Sequence, residues 1–302
     1  MSASVLFDTP GPRTRRRSRI ASVIVVLLIA AGLAWIIYTL AQPRDSSGIT
    51  LPGYFDESRW DIFVLAELWV RIGQGLLATL QAAAVAAVMA LVIGVLFAML
   101  RTSSLAIVRI PTTIVLEFFR GMPVLLMMLF ILLVASTGAF WAVVLALGVY
   151  NGAIIGESLR AGLAALPRGQ REAGLSLGLT RFQSKVFIEF PQAFRQMLPV
   201  IIAQLVVLLK DTSLGYIVGY NELIRTTMNN LGSSVGNRYL FSLFLVTLVI
   251  YLAVNLSLSA VARRLARRRS PGTMSPKDQI TPTASISAVG MSSTNPEDRT
   301  TE

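Results

Sequence analysis

Three pairs of oppositely charged residues lie inside or beside strongly apolar stretches of this sequence. They are Glu117 with Arg120, Glu157 with Arg160, and Lys210 with Asp211. A charged side chain at the centre of a bilayer costs about 2.5–3.5 kcal/mol on insertion scales, so such residues are candidates for function. Each pair could bind charged groups of a ligand. Alternatively, the partners could neutralise each other and fix helix packing, or extend to the lipid headgroups.

The residue types argue against catalysis. The chain contains neither histidine nor cysteine, which excludes thiol nucleophiles, Cys/His metal sites and histidine-based triads. No helix face carries a cluster of carboxylates, and no GxxxxGK[ST] loop is present to hold the phosphates of ATP. We therefore predict a chain that is not an enzyme and that binds no cofactor or metal of its own.

The elements that must position these charges are membrane helices. Of the 302 residues, 54% are hydrophobic and only 14% are charged, which predicts an all-α polytopic membrane protein. The first apolar segment exceeds the roughly 7–15 residues of a signal peptide core, so we predict a retained anchor. The six predicted spans are Ile20–Leu40, Ile72–Leu100, Pro111–Ala135, Phe140–Leu163, Phe194–Tyr216 and Tyr239–Ala262.

The distribution of basic residues predicts the orientation. Lys and Arg number 18 in segments 1–19, 101–110, 160–195 and 263–269, against 6 in segments 41–71 and 210–238. By the positive-inside rule, both termini lie in the cytoplasm of a multi-pass protein in a bacterial cell membrane. The formal charge of +11 is thus explained by topology and anionic membrane lipid, and we predict no binding of nucleic acid.

Two regions outside the spans have their own character. The external loop 41–71 is expected to contain an interfacial helix near Trp60–Trp69. Residues 263–302 begin with a basic run and continue into a Ser-, Thr- and Pro-rich stretch, 270–302, that is typical of disorder. No internal repeat is visible, which weighs mildly against a secondary transporter.

The predicted cytoplasmic loop 164–191 contains the polar stretch REAGLSLGLTRFQSKVFIEFP, 171–191. A helix is predicted to begin at Pro167 and to stop at Gly178. A second helix is predicted from the N-cap Thr180 to Glu189, before Pro191. The pattern indicates a helix-turn-helix elbow suited to docking on a soluble partner. An amphipathic connector lying on the headgroups is the alternative.

The spacing within this loop resembles the EAA loop of ABC importer permeases. That motif reads Glu-Ala-Ala, three residues, Gly, nine residues, Ile, and then Leu-Pro. This chain departs in Gly174, which replaces the second Ala, and in Phe190, which replaces the Leu. The matching positions are Glu172, Ala173, Gly174, Gly178, Ile188 and Pro191.

Three further stretches are similar to the histidine/glutamine/glutamate/arginine branch of that family. They read RGMPVLLMMLFI (120–131), GAIIGESLRAGLAALPRGQREA (152–173) and LKDTSLGYIVGYNELIRT (209–226). The resemblance covers residues 75–256. It implies a type I permease core of five helices within 72–262, with the helix 20–40 as an addition.

The resemblance also implies partners. The loop would fit a cleft on a cytoplasmic ATPase dimer, which would bind ATP and magnesium, with Glu172 at the interface and Gly178 at the bend. A second permease subunit, homologous but distinct, would complete the pathway. An extracytoplasmic solute-binding protein would deliver ligand near 217–238 and 136–140. Overall resemblance favours glutamate as the amino acid carried.

Within this reading, Arg120 is the first candidate for the carboxylate of the transported amino acid. The GxxxG pair Gly152 and Gly156 indicates close helix packing, either within the bundle or against a second subunit. An ion-driven secondary amino acid transporter is the main alternative, and it leaves 171–191 unexplained. A membrane enzyme or a scaffold protein explains less. Nucleotide-dependent association through 171–191 would separate the first reading from these.

Overall fold

The described part of the chain is almost entirely helical, as predicted. The computed structural model describes residues 11–46 and 49–269. A short antiparallel hairpin, β1 (Arg44–Ser46) and β2 (Ile49–Leu51), pairs Arg44 with Leu51. The helices are α1 (Pro12–Ala41), α2 (Ala66–Arg101), α3 (Ala106–Gly121), α4 (Val124–Ala135), α5 (Ala139–Ala164), α6 (Arg168–Ser176), α7 (Arg181–Ser184), α8 (Phe190–Asp211), α9 (Gly232–Val235) and α10 (Leu240–Arg269). Residues 1–10 and the stretch 270–302 lie outside the described residues.

Five helical stretches in the described part of the chain are long and apolar enough to cross a membrane. They contain α1, α2, α5, α8 and α10. The bent pair α3 and α4 supplies a sixth span if the two helices are counted together. This agrees with the predicted number of spans.

The predicted third span, Pro111–Ala135, is sharply bent. α3 and α4 meet at an angle of 102°. Met122 lies between them with φ −84° and ψ 130°, an extended conformation. The following Pro123 disfavours the helical conformation at Met122, because its ring clashes with the preceding residue. The break therefore follows from a single proline.

The core is a seam of small residues between α2 and α5, which run parallel. A Cβ placed on Gly152 would lie 2.7 Å from Ile93 Cγ2, and one on Gly156 would lie 3.0 Å from the carbonyl oxygen of Gly94. Ala86 and Ala90 of α2 are fully buried in the same seam. The GxxxG pair thus lies inside one chain, where the absence of side chains lets two helix backbones approach closely.

The remaining long helices differ in how they attach. α8 runs antiparallel to α5, and α10 contacts the end of α8 through Tyr251, whose hydroxyl donates to the Leu209 carbonyl at 3.2 Å. Along α1, by contrast, apolar side chains from Ile20 to Tyr38 are exposed.

α10 continues to Arg269, so the basic run 263–269, predicted as the start of a tail, is the end of a helix. Below, "elbow end" means the end of the bundle where α2 and α5 terminate and α8 begins.

The predicted interfacial helix over Trp60–Trp69 is absent from the described residues. Two short 3₁₀ turns, Glu57–Arg59 and Asp61–Val64, occupy its place, and α2 already begins at Ala66. Leu65 is extended, with ψ 117°, and separates the second turn from α2. Two tryptophans nevertheless stay together, since both rings pack on Phe63 at centroid distances of 5.6 and 6.0 Å.

Candidate functional site

The stretch 168–190, called the elbow below, begins with α6 and a tight turn. Gly178 has φ +80°, a left-handed conformation that glycine adopts without strain. Its N–H donates to the Leu175 carbonyl at 3.0 Å, and the Leu179 N–H donates to the Gly174 carbonyl at 3.3 Å. These two bonds form a Schellman motif, which satisfies the last carbonyls of α6. The predicted stop at Gly178 is confirmed.

The second half of the elbow begins with the predicted N-cap. The Gln183 N–H donates to Thr180 Oγ1 at 3.3 Å, and the Thr180 N–H donates to Gln183 Oε1 at 2.9 Å, which completes a capping box. The prediction that this helix ends at Glu189, before Pro191, was wrong, because the helical stretch continues past Pro191. α7 passes into a π-helical turn, Lys185–Glu189, and then into α8. The Phe190 N–H bonds to the Lys185 carbonyl, and Pro191, which has no N–H to place, enters the first turn of α8.

The two halves of the elbow pack on each other at Gly174. A Cβ added there would lie 2.5 Å from Ser184 Oγ and 3.0 Å from Ile188 Cδ1. Ser184 is fully buried. The departure from the second Ala of the motif thus has a local reason, because Ser184 occupies the space of the missing methyl. The elbow is a folded unit rather than a loose connector.

The outer surface of the elbow carries both polar and large apolar side chains. Glu172, Ala173 and Pro191 are exposed. Leu177 is 79% exposed, and Phe182 and Phe187 are each 69% exposed. Large exposed apolar side chains on the same short unit as an exposed carboxylate are typical of a protein contact surface. The second acidic residue, Glu189, is instead buried, with Arg171 Nε 3.8 Å from its Oε1.

A charge cluster lies at the same end of the bundle. The two predicted i, i+3 pairs are present, with Arg120 Nη1 3.2 Å from Glu117 Oε2 and Arg160 Nη2 2.7 Å from Glu157 Oε1. Arg101, at the end of α2, joins them: its guanidinium contacts Glu157 and lies 3.1 Å from Glu117. The charge cluster therefore ties α2, α3 and α5 together.

Lys210 and Asp211 do not belong to this cluster. They lie at the far end of α8, and the described residues show no ion pair for either side chain. Lys210 is exposed and Asp211 is partly buried. The proposed mutual neutralisation is therefore seen for the first two pairs and is absent at the third.

Three polar features were not predicted from the sequence. Arg101 was counted only as a loop cation. Near the middle of the bundle, Gln204 Nε2 donates to Asn151 Oδ1 at 2.7 Å, linking α8 to the fully buried Asn151 of α5. An amide inside an apolar stretch would have been the signal. The third feature is Glu222, which is fully buried at the end opposite the elbow.

Glu222 lies in the segment between α8 and α10. The Ile224 N–H donates to its Oε2 at 2.8 Å, and the Arg225 N–H donates to its Oε1 at 2.7 Å. Burial raises the pKa of Glu222 to about 7, although these two bonds and the Arg225 charge act in the opposite direction. Beside it, a pocket of about 220 Å³ is lined by Arg71, Asn221 and Asn230. The opposite end thus holds a polar recess next to a carboxylate poised near neutral pH.

Comparison with known proteins identifies a family and several relatives that this chain resembles. Residues 90–271 match the family described as "Binding-protein-dependent transport system inner membrane component". The chain is 38% identical to the glutamate transport system permease protein GluD of Corynebacterium glutamicum, over 73% of this chain and 83% of the relative. It is 34% identical to the probable glutamine ABC transporter permease protein GlnP of Bacillus subtilis, over 68% and 95%.

A solved structure shares the fold. It is described as the crystal structure of an amino acid ABC transporter with histidines, and it superposes with a TM-score of 0.61 at 28% sequence identity. The match covers 69% of this chain and 98% of the other. The part of this chain that the match does not cover is consistent with additional segments around a common core.

Proposed function

The chain belongs to the family of binding-protein-dependent transport system inner membrane components, as a permease subunit of a polar amino acid ABC importer, and we propose that it carries glutamate or a close relative. It is a multi-pass membrane protein and a transport subunit. The glutamate assignment is supported by the 38% identity to GluD over most of both chains.

We place the elbow at the cytoplasmic interface with an ATPase dimer. The observation that carries this proposal is the elbow's construction: a Schellman turn and a capping box join two helices into one stiff unit that exposes Glu172 and Phe182. A stiff unit can transmit motion from ATPase closure to α5 and α8, which flank it in the chain. A loose loop could not. ATP and magnesium would bind to the ATPase partner.

The charge balance supports an orientation with both termini in the cytoplasm, since the elbow end carries most of the basic residues. The opposite end, with Asn221 and Asn230 at its recess, would then face the solute-binding protein. A second, homologous permease subunit would complete the pathway, because α2, α5 and α8 of one chain leave the mid-bundle Gln204 partly exposed.

Within the charge cluster, Arg120 remains the best candidate for the substrate carboxylate. Its side chain is 37% exposed, against 15% for Arg101, so it is the more accessible of the two guanidinium groups. Arg101 and Glu157 instead have the burial expected of groups that hold helices together. The Asn151–Gln204 pair is a second candidate for contact with substrate.

Reconstitution into proteoliposomes with the ATPase and binding-protein partners tests the proposal. We expect glutamate uptake that requires ATP on the ATPase side and persists when ionophores collapse the proton and sodium gradients. Uptake without ATP that ionophores abolish would make the chain an ion-driven transporter.

A further inference from the structure

A basic pocket lies at the elbow end, between the α2–α3 loop and the elbow. Its volume is about 500 Å³. Four cationic side chains and two serine hydroxyls line it, and no carboxylate does. These six residues are Arg109, Arg171, Arg181, Lys185, Ser103 and Ser104.

The positive charge of this basic pocket is little neutralised. Within 11–46 and 49–269, neither Arg109 nor Arg181 forms an ion pair. Glu189 acts on two of these cations: its Oε1 lies 3.8 Å from Arg171 Nε, and its charge also reaches Lys185, whose ammonium donates to the Thr102 carbonyl. Because like charges around one space repel each other, an anion there would lower the free energy of the folded chain.

The basic pocket adjoins a second cleft, of about 280 Å³, which shares Arg109 with it. This cleft is lined further by Arg101 and Arg160 of the charge cluster and by Ile110, Thr113 and Ile114 of α3, and the two isoleucines form its apolar strip. Both isoleucines are more than half exposed, and Ile107, about one turn before Ile110, is 82% exposed. A cationic chamber that opens on an apolar strip has the shape and chemistry of an amphiphile with an anionic head.

We propose that the basic pocket binds the phosphate of an anionic phospholipid headgroup, with an acyl chain lying along Ile110 and Ile114. The arginine forks match phosphate oxygens, and basic recesses between membrane helices favour such headgroups. The apolar strip is what favours a lipid over free phosphate. A single headgroup would bridge Ser103 of the α2–α3 loop and Arg181 of the elbow, and so would brace the elbow against α2.

The experiment measures lipid binding by the purified full-length chain in mixed micelles. Phosphatidylglycerol, phosphatidylcholine and inorganic phosphate are titrated separately, with Tm and the lipid retained in native mass spectrometry as readouts. The test variant is the double substitution Arg109→Gln and Arg181→Gln, both exposed residues whose loss should not disturb folding. The control is Arg15→Gln with Arg195→Gln, which removes the same charge from exposed positions outside the pocket.

We expect phosphatidylglycerol to raise the Tm, phosphatidylcholine and phosphate to have little effect, and the test variant to bind phosphatidylglycerol at least about tenfold more weakly. An equal loss in the control would indicate general charge attraction and overturn the site. A full response to phosphate alone would replace the lipid by a soluble anion. Unchanged lipid binding with loss of a co-purifying ATPase would make the pocket part of a protein interface and would equally overturn the proposal.

Discussion

The elbow and the charge cluster lie at the same end of the bundle, yet they are held in different ways. The elbow's caps join residues at most five apart in sequence, such as Gly174 with Leu179 and Thr180 with Gln183. The charge cluster joins Arg101 to Glu157, 56 residues away, and depends on the packing of three helices. The elbow can therefore keep its shape while the bundle rearranges, whereas the cluster must change when the helices move.

The strongest break of the elbow is Gly178→Pro. Proline fixes φ near −65°, far from the observed +80°, and removes the N–H that donates to Leu175. We expect ATP-driven uptake to be abolished while membrane insertion and the charge cluster remain intact. Uptake and surface expression are measured together. Gly178→Asn, which tolerates the left-handed conformation, is the matched control and should retain most activity.

The difference in sequence range also explains what the sequence could predict. Thr180, Gly178 and the i, i+3 pairs were found because their partners lie within a few residues. Arg101 and the Asn151–Gln204 bond were missed because their partners come from other helices. The break after Met122 is an intermediate case: Pro123 was a visible local signal, but the apolar composition on both sides concealed it.

Within the charge cluster, substitution of Arg101 should lower stability the most. Its side chain is only 15% exposed and it contacts two carboxylates. Arg101→Gln leaves Glu157 without that partner, and we expect a loss of about 3 kcal/mol in the free energy of unfolding, or about 6–12 °C in Tm. Arg120→Gln, at a more exposed pair, should cost less than about 1 kcal/mol. Adding Glu157→Gln to Arg101→Gln should recover part of the loss, and equal effects of the two arginine variants would contradict this account.

Glu222 is held by both local and long-range contacts. Backbone N–H groups two and three residues away donate to its carboxylate, and tertiary packing buries it. Its pKa is raised from 4.5 to about 7, so between these values the folded chain binds more protons than the unfolded chain. The stability linked to this proton is fully present below about pH 4.5 and is lost as the pH rises through about 7, a change of about 3 kcal/mol at most.

Thermal unfolding of the native chain and of Glu222→Gln from about pH 5 to about pH 8 measures this contribution. The native chain should lose more stability across that range than the variant. Glu222→Gln loses one oxygen acceptor but cannot ionise, so it should be less stable than the native chain near about pH 5 and its profile should be flatter. Parallel profiles would show that Glu222 keeps an ordinary pKa.

The packing inside the elbow predicts a smaller effect than the loss of Arg101. Gly174→Ala places a methyl group 2.5 Å from Ser184 Oγ and should lower stability by about 1–2 kcal/mol. Adding Ser184→Ala removes the closest contact and should restore much of the loss, in both Tm and uptake. A neutral Gly174→Ala would show that the two halves of the elbow are not tightly packed at this position.

The most direct test of the coupling claim is co-purification of an ATPase with the native chain and with Glu172→Lys from detergent-solubilised membranes. Glu172 is exposed on α6, so its reversal should leave the fold intact while placing a like charge or an unpaired cation at the contact. Glu57→Lys, an exposed reversal at the opposite end, is the control. We predict that the ATPase accompanies the native chain and Glu57→Lys but not Glu172→Lys. Equal recovery with all three chains would contradict a coupling contact at the elbow.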